Sequence, residues 1–170
     1  MRVAEHQLRE RGIAVSGTSS RQSQCPAWVQ IGLDLYGQLT KMGFQAYPED
    51  GSSRQWLETH PHAAFCVLLG RIPLSKPSLE GRLQRELVLF ERGVGIKDPM
   101  NFFEEITRHK LLAGILPLEL LHPTEQLDAL IAAYTAWVAA EKPAELTRLG
   151  GAQEGFIHLP IAQLKESYSA

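Results

Sequence analysis

Two carboxylates stand out by their settings. Asp128 lies in the run Gln126–Thr135, Gln-Leu-Asp-Ala-Leu-Ile-Ala-Ala-Tyr-Thr, which is otherwise mostly apolar. Glu58 lies in Gln-Trp-Leu-Glu-Thr-His-Pro, after two apolar residues and just before a proline. An acid at the border of an apolar surface must be solvated, paired or used, and metal ligation is one such use. Glu125, three residues before Asp128, would be its neighbour on a helix. A plainer alternative stands beside each: Glu125 complementing a helix dipole, Asp128 in water, and Glu58 on the wet face of an edge strand. Arg71, Lys76, Arg82, Arg85 and Arg92 form a basic strip, diluted by Glu80, Glu86 and Glu91. That strip reads either as a solvated helix face or as a phosphate contact. Lys76 and Arg85 are the candidate substrate-binding cations, because phosphodiester chemistry needs positive charge near the phosphates. His60-Pro61-His62 offers two imidazoles but no third ligand nearby, so a histidine at a helix start is the default. His109, His122 and His158 are scattered and receive no role. The Gly-x-Ser-x-Gly, P-loop and dinucleotide fingerprints are all absent.

The elements that must hold these residues fit one domain over residues 1–170. The chain is 44% hydrophobic and 21% charged with a formal net charge of −2, an ordinary globular balance that gives no general pull on nucleic acid. Cys25 and Cys66 stand alone, which suggests a reducing compartment and no disulfide framework. The charged start excludes a signal peptide, and no run approaches the roughly 20 apolar residues of a membrane span. A cytoplasmic location without membrane partners is the expectation.

Residues 2–11 read as a charged helix stopped by Gly12, and 15–26 as a polar loop. A helix is predicted over 28–42, with Trp28, Ile31, Leu35, Leu39 and Met42 as its apolar stripe. Phe44–Tyr47 and Gln55–Thr59 flank an Asp50-Gly51 turn signal and predict a hairpin. Pro61 opens a helix to Leu69, and Ser78 caps one over 79–92 with Leu79, Leu83, Leu87 and Phe90 buried. Further helices are expected over 101–114, with Phe102, Phe103, Ile106 and Leu112 in the core, and from Pro123-Thr124 to Lys142. On the last, Leu127, Ile131, Tyr134 and Val138 share a face, with Asp128 at its border. Gly155–Leu159 reads as a short strand, and Pro160 as the start of a terminal helix. The class is a helix-rich α/β fold with a small sheet.

Five segments, in order along the chain, resemble one family. Arg2 and Glu5 precede Leu8 and Gly12-Ile13; Glu58-Thr59-His60-Pro61 precedes Phe65; Lys76 precedes Gly81 and Arg85; then come Glu125-Gln126-Leu127-Asp128-Ala129-Leu130 and Glu154-Gly155-Phe156-Ile157. The pattern is similar to that of the domain of unknown function 429 family, a group of predicted nucleases with a ribonuclease H-like fold. The resemblance implies a metal-dependent phosphodiesterase using Mg²⁺ or Mn²⁺, with Glu58 and Asp128 catalytic, Glu58, Glu125 and Asp128 as metal ligands, and Lys76 and Arg85 at the phosphates of a nucleic acid. Glu125 stands where the family more often has Asp. The resemblance also implies a truncated ribonuclease H-like fold, because the family's N-terminal strands, with their first Asp, precede the segment matched by Met1. A homo-oligomer, or a partner supplying strands, would then cover an open sheet edge. The alternative is a non-catalytic remnant serving as an interaction or assembly module.

Overall fold

The computed structural model describes residues 1–19 and 21–170. It is a helix-rich α/β fold with two two-stranded sheets. Its helices are α1 (Val3–Glu10), α2 (Ala27–Lys41), α3 (Pro61–Leu69), α4 (Leu79–Glu91), α5 (Asn101–Glu104), α6 (Arg108–Leu112) and α7 (Thr124–Glu141). Its strands are β1 (Gln45–Ala46), β2 (Gln55–Trp56), β3 (Thr147–Gly151) and β4 (Gly155–Leu159). No described helix is long and apolar enough to cross a membrane.

The core is centred on α3. The His60 ring accepts the Ala63 N–H at 3.3 Å, Pro61 needs no partner in the first turn, and Gly70 ends the helix in the left-handed region at φ +70°. Ala63, Ala64, Phe65, Cys66 and Val67 are all buried against Leu8, Leu89, Leu127, Ile131, Val138, Ile157 and Leu159. The face expected on α7 is the one that packs, with Leu127, Ile131, Tyr134 and Val138 all buried.

β3 and β4 form an antiparallel hairpin from Thr147↔Leu159 to Gly151↔Gly155. Gly150 turns there at φ +115°, and a Cβ on it would lie 2.4 Å from the Gly155 carbonyl oxygen, so only glycine fits. A parallel bridge, Glu58↔Ile157, joins the chain beyond β2 to β4. Glu58 therefore sits where the two sheets meet.

Several expectations are corrected. β1 and β2 pair in parallel, Gln45↔Gln55 and Ala46↔Trp56, not as a hairpin. The Asp50-Gly51 turn does form, with Gly51 at φ +82°, but the chain from 47 to 54 travels back before pairing. Anchors on both sides fix that path: Tyr47 donates to the Ala139 carbonyl at 3.2 Å, and the Trp56 ring packs on Tyr36 with centroids 4.5 Å apart. The single helix over 101–114 is two short ones, because Thr107 leaves the helix and caps α6 through the Lys110 N–H at 3.2 Å. Phe102 is buried, while Phe103 is 52% and Leu112 84% exposed.

On α4 the buried residues are Gly81, Arg85, Glu86 and Leu89, and Phe90 is exposed. The face is rotated from the leucine stripe because two polar residues find partners inside. The terminal helix after Pro160 does not form. That segment bends, the Thr147 hydroxyl donates to the Ile161 carbonyl at 2.6 Å, and Tyr168 is buried where its N–H meets the Arg11 carbonyl at 2.8 Å. β3 has no counterpart among the predicted elements. The loop over 15–26 is observed with one 3-10 turn, Gln22–Gln24, save for Ser20, which lies outside the described residues.

The predicted apolar stripe of α2 is present but, apart from the half-buried Leu39, uncovered. The helix spans 15 residues and buries none of them. Trp28 is 67%, Ile31 68%, Leu35 52% and Met42 63% exposed.

Candidate functional site

Glu58 is reached from the N-terminus of α1. Arg2 clamps its carboxylate bidentately, Nη1 donating to Oε2 at 2.7 Å and Nη2 to Oε1. The pair is partly buried, with side chains 23% and 25% exposed. The hydrogen bond to Glu58 outweighs burial and raises the Arg2 guanidinium pKa above its ordinary range.

Arg2 is also the N-cap of α1, where Glu5 supplies one half of a capping box. Its backbone N–H donates to Glu5 Oε2 at 2.9 Å, which satisfies a free donor at the start of α1. Glu5 is only 3% exposed. Burial alone would raise its pKa, but the Thr18 hydroxyl and N–H, with Arg2, hold the carboxyl below the usual range. Glu154 adds a second acceptor to this helix start, taking the Val3 N–H at 2.8 Å. The residue reading gave Arg2, Glu5 and Glu154 no chemical role. The available signal was the Arg2/Glu5 spacing of three, the reach of a capping box.

Asp128 projects from the second turn of α7 and pairs with Lys76, Nζ to Oδ2 at 2.6 Å. Both side chains remain partly exposed, 43% for Lys76 and 31% for Asp128. The charges of both acids act at His60: burial pushes its pKa down, and Asp128 and then Glu58 oppose that push. His62 is also pushed down, first by burial and then by His60, Arg85 and Lys76. One region therefore gathers Glu58, His60, His62, Lys76 and Asp128.

Arg85 lies beneath it, inside the core. It is 2% exposed, donates Nη1 to the Gly81 carbonyl at 2.7 Å and the Leu74 carbonyl at 3.0 Å, and stands 5.5 Å over the Phe65 ring. Burial lowers its pKa, and the Asp128 charge opposes this. A Cβ on Gly81 would meet the Ser75 carbonyl oxygen at 1.8 Å, so glycine is required for the Lys76 loop to lie on α4.

Glu125 is exposed on the first turn of α7, where the Lys76 charge still acts on it. Its carboxyl accepts the Thr124 hydroxyl at 2.8 Å, and its own backbone N–H, followed by that hydroxyl, lowers its pKa. Cys66 lies 3.7 Å from His62, but burial pushes its thiol up to about 12. A thiol so protonated is no nucleophile at neutral pH.

The residues present do not fit a two-metal centre. Among the described residues, no three His, Cys, Asp or Glu side chains are grouped to hold a metal ion. Glu58 spends both oxygens on Arg2 and Asp128 one on Lys76.

A family model described as "Protein of unknown function (DUF429)" matches residues 3–149. Of the five resembling segments, only Glu154–Ile157 lies wholly outside that match. No curated protein and no solved structure matches the chain.

Proposed function

The chain belongs to the DUF429 family of proteins of unknown function, and on that premise we propose that it works as a homodimeric assembly module that pairs through α2. The observation that carries this reading is a 15-residue helix with no buried residue and a stripe of large apolar side chains in water. Exposed patches of that kind mark interaction surfaces. The occupant is a second copy of this chain, because the seam is self-complementary. Trp28, Ile31, Leu35 and Met42 are spaced by three, four and seven residues, a helix–helix seam whose intervening position is Gln38. An antiparallel pair centred on Leu35 sets Trp28 of each copy against Met42 of the other, an aromatic–thioether contact. It also runs the two helix dipoles in opposition. Such a seam covers on the order of 500 Å² per copy, at the weak end of specific interfaces, so association is expected in the micromolar range. In this reading the Arg2–Glu58 and Lys76–Asp128 pairs are scaffold, locking α1, the β2–β4 junction, the 75–78 loop and α7 together.

Cysteine cross-linking tests the register. Cys25 and Cys66 are buried, so an introduced surface thiol dominates oxidation. Leu35→Cys should give a covalent dimer readily. Trp28→Cys should cross-link only when mixed with Met42→Cys. Equal cross-linking at all three positions would remove the antiparallel seam.

A second reading has one observation in its favour: Glu58 and Asp128 both act on His60, with Lys76 alongside. This is the metal-dependent phosphodiesterase that the ribonuclease H resemblance implies. It requires Arg2 and Lys76 to yield their carboxylates to Mg²⁺ or Mn²⁺, and a further ligand beyond this pair. Cleavage of single- or double-stranded RNA or DNA with either metal, lost in Asp128→Ala, would establish it. No cleavage, or cleavage unchanged in that variant, would remove it.

A further inference from the structure

The buried face of α4 directs two polar side chains at the segment entering α7. Glu86 is 1% exposed and accepts the His122 backbone N–H through Oε1. The His122 ring reaches the same oxygen, with Nδ1 at 3.3 Å; that nitrogen is buried and has no aligned hydrogen bond. One turn away, Arg82 donates Nε to the His122 carbonyl at 3.1 Å and Nη2 to the Leu121 carbonyl at 2.8 Å. The backbone of His122 is thus held on both its donor and acceptor sides, which fixes where the ring can go.

The ring is not sealed. Its side chain is 31% exposed and lines a cleft of about 900 Å³ with Arg82, Lys97 and the first turn of α7. That volume lies within the range of small-molecule sites. None of these groups bonds to Glu58 or Asp128. A carboxylate against one imidazole nitrogen orients the ring and leaves the other nitrogen for a ligand.

We propose that this cleft binds a small oxyanion-bearing molecule, phosphate- or carboxylate-carrying, with His122 and Lys97 as donors and Glu86 as the positioning residue. The charged groups around His122 are Arg82 and Glu86 from α4, Lys97 from the loop after it, Glu119 from the 118–120 turn and Glu125 from α7. Glu119 and Glu125 are exposed acids at the rim, and Glu125 is turned onto the Thr124 hydroxyl. The formal charges of Arg82 and Lys97 are matched by Glu119 and Glu125, so anion binding here rests on the placed donors and not on net charge. Burial pushes the Glu86 carboxyl up, while the His122 N–H and ring and Arg82 pull it back, as expected of a carboxylate that depends on its partners.

The test is an NMR titration of the full chain with sulfate and, separately, acetate, at ionic strength balanced with chloride. Sulfate keeps its full charge at neutral pH, so its binding reports on the protein's donors. The His122 ring and the amides of Lys97 and Thr124–Gln126 should shift saturably. Stronger sulfate binding assigns a phosphate-like ligand, and stronger acetate binding a carboxylate. His122→Ala should weaken binding about tenfold, the loss of one charged hydrogen bond. Glu86→Gln should weaken binding and move the His122 ring resonances, and Glu86→Asp should restore part of both. Lys97→Ala, on the surface, should weaken binding with an unchanged thermal midpoint, which keeps the test independent of any folding defect in the Glu86 variant. No saturable shift with either anion, or equal affinity in His122→Ala and Lys97→Ala, overturns the proposal.

Discussion

α2 and α3 are both helices rich in apolar residues, yet their surroundings differ completely. α3 is apolar over most of its surface, is capped by His60 and Gly70, and has Ala63 through Val67 buried. α2 carries its apolar residues mainly as one stripe, touches the body through the half-buried Val29, Gly32, Tyr36 and Leu39, and shows the stripe to solvent. α3 is held by packing. α2 is held by its inner contacts, chiefly Tyr36 on Trp56, and by local bonds such as Gln30 to the Cys25 carbonyl at 2.8 Å. An amphipathic period says that a helix face calls for cover, not what supplies it.

The contrast can be broken by matched truncations. Phe65→Ala in α3 should cost about 4 kcal/mol in denaturant unfolding, since a fully buried aromatic leaves a cavity. Ile31→Ala in α2 should change monomer stability by less than about 0.5 kcal/mol. Comparable losses at the two positions would mean that α2 is covered within the monomer.

Gly81→Ala should rank next, at about 3 kcal/mol, because its Cβ meets a backbone carbonyl that cannot move without shifting the Lys76 loop. Arg2→Met should cost about 2 kcal/mol, since it strips Glu58 of a bidentate charged partner. A neutral outcome in urea unfolding would show that α1 is not tied to the β2–β4 junction by this pair.

The smallest expected effects are those of pH, and their signs follow from the buried groups. Burial holds His60, His62 and His158 below the ordinary imidazole value of 6.5. The unfolded chain therefore takes up their protons first, and stability should fall as pH drops below about 6.5. His158 is 3% exposed with neither ring nitrogen hydrogen-bonded among the described residues, so His158→Phe should reduce this loss. Glu5 is held below its ordinary 4.5, so its contribution is full above that value and is lost as pH falls through the lower folded value. Glu5→Gln should flatten the second phase and leave the first. Thermal midpoints measured from pH 7 to 3 check both, and a single phase common to all variants would contradict the assignment.

The helices that pack by their own pattern were legible in the sequence. α3 and α7 follow from proline starts, Gly70 or Pro143 at the ends, and a mostly apolar face, on which Thr135 of α7 turns its hydroxyl back to the Ile131 carbonyl. The reading failed where polar groups or distant anchors decide. Arg85 and Glu86 are charged, so pattern alone placed them outside, yet carbonyls of the 74 and 81 positions and the His122 N–H satisfy them inside. The Asp50-Gly51 turn was visible, but its consequence depends on Tyr47 and Trp56 meeting Ala139 and Tyr36 far along the chain. At the candidate site, Glu58, Lys76 and Asp128 were legible as chemistry-bearing residues. That Arg2 and Lys76 occupy the two carboxylates was not, because ion pairing across 56 and 52 positions leaves no local signature.

The assembly reading rests on the α2 face, and sedimentation velocity of the full chain between about 1 and 100 µM, a range set by the expected weak interface, tests it most directly. The chain should pass from monomer to dimer over that range. The Ile31→Glu/Leu35→Glu variant should stay monomeric with an unchanged circular dichroism spectrum and unfolding midpoint. A native chain that remains monomeric throughout, or a charged variant that still dimerises, would contradict the account.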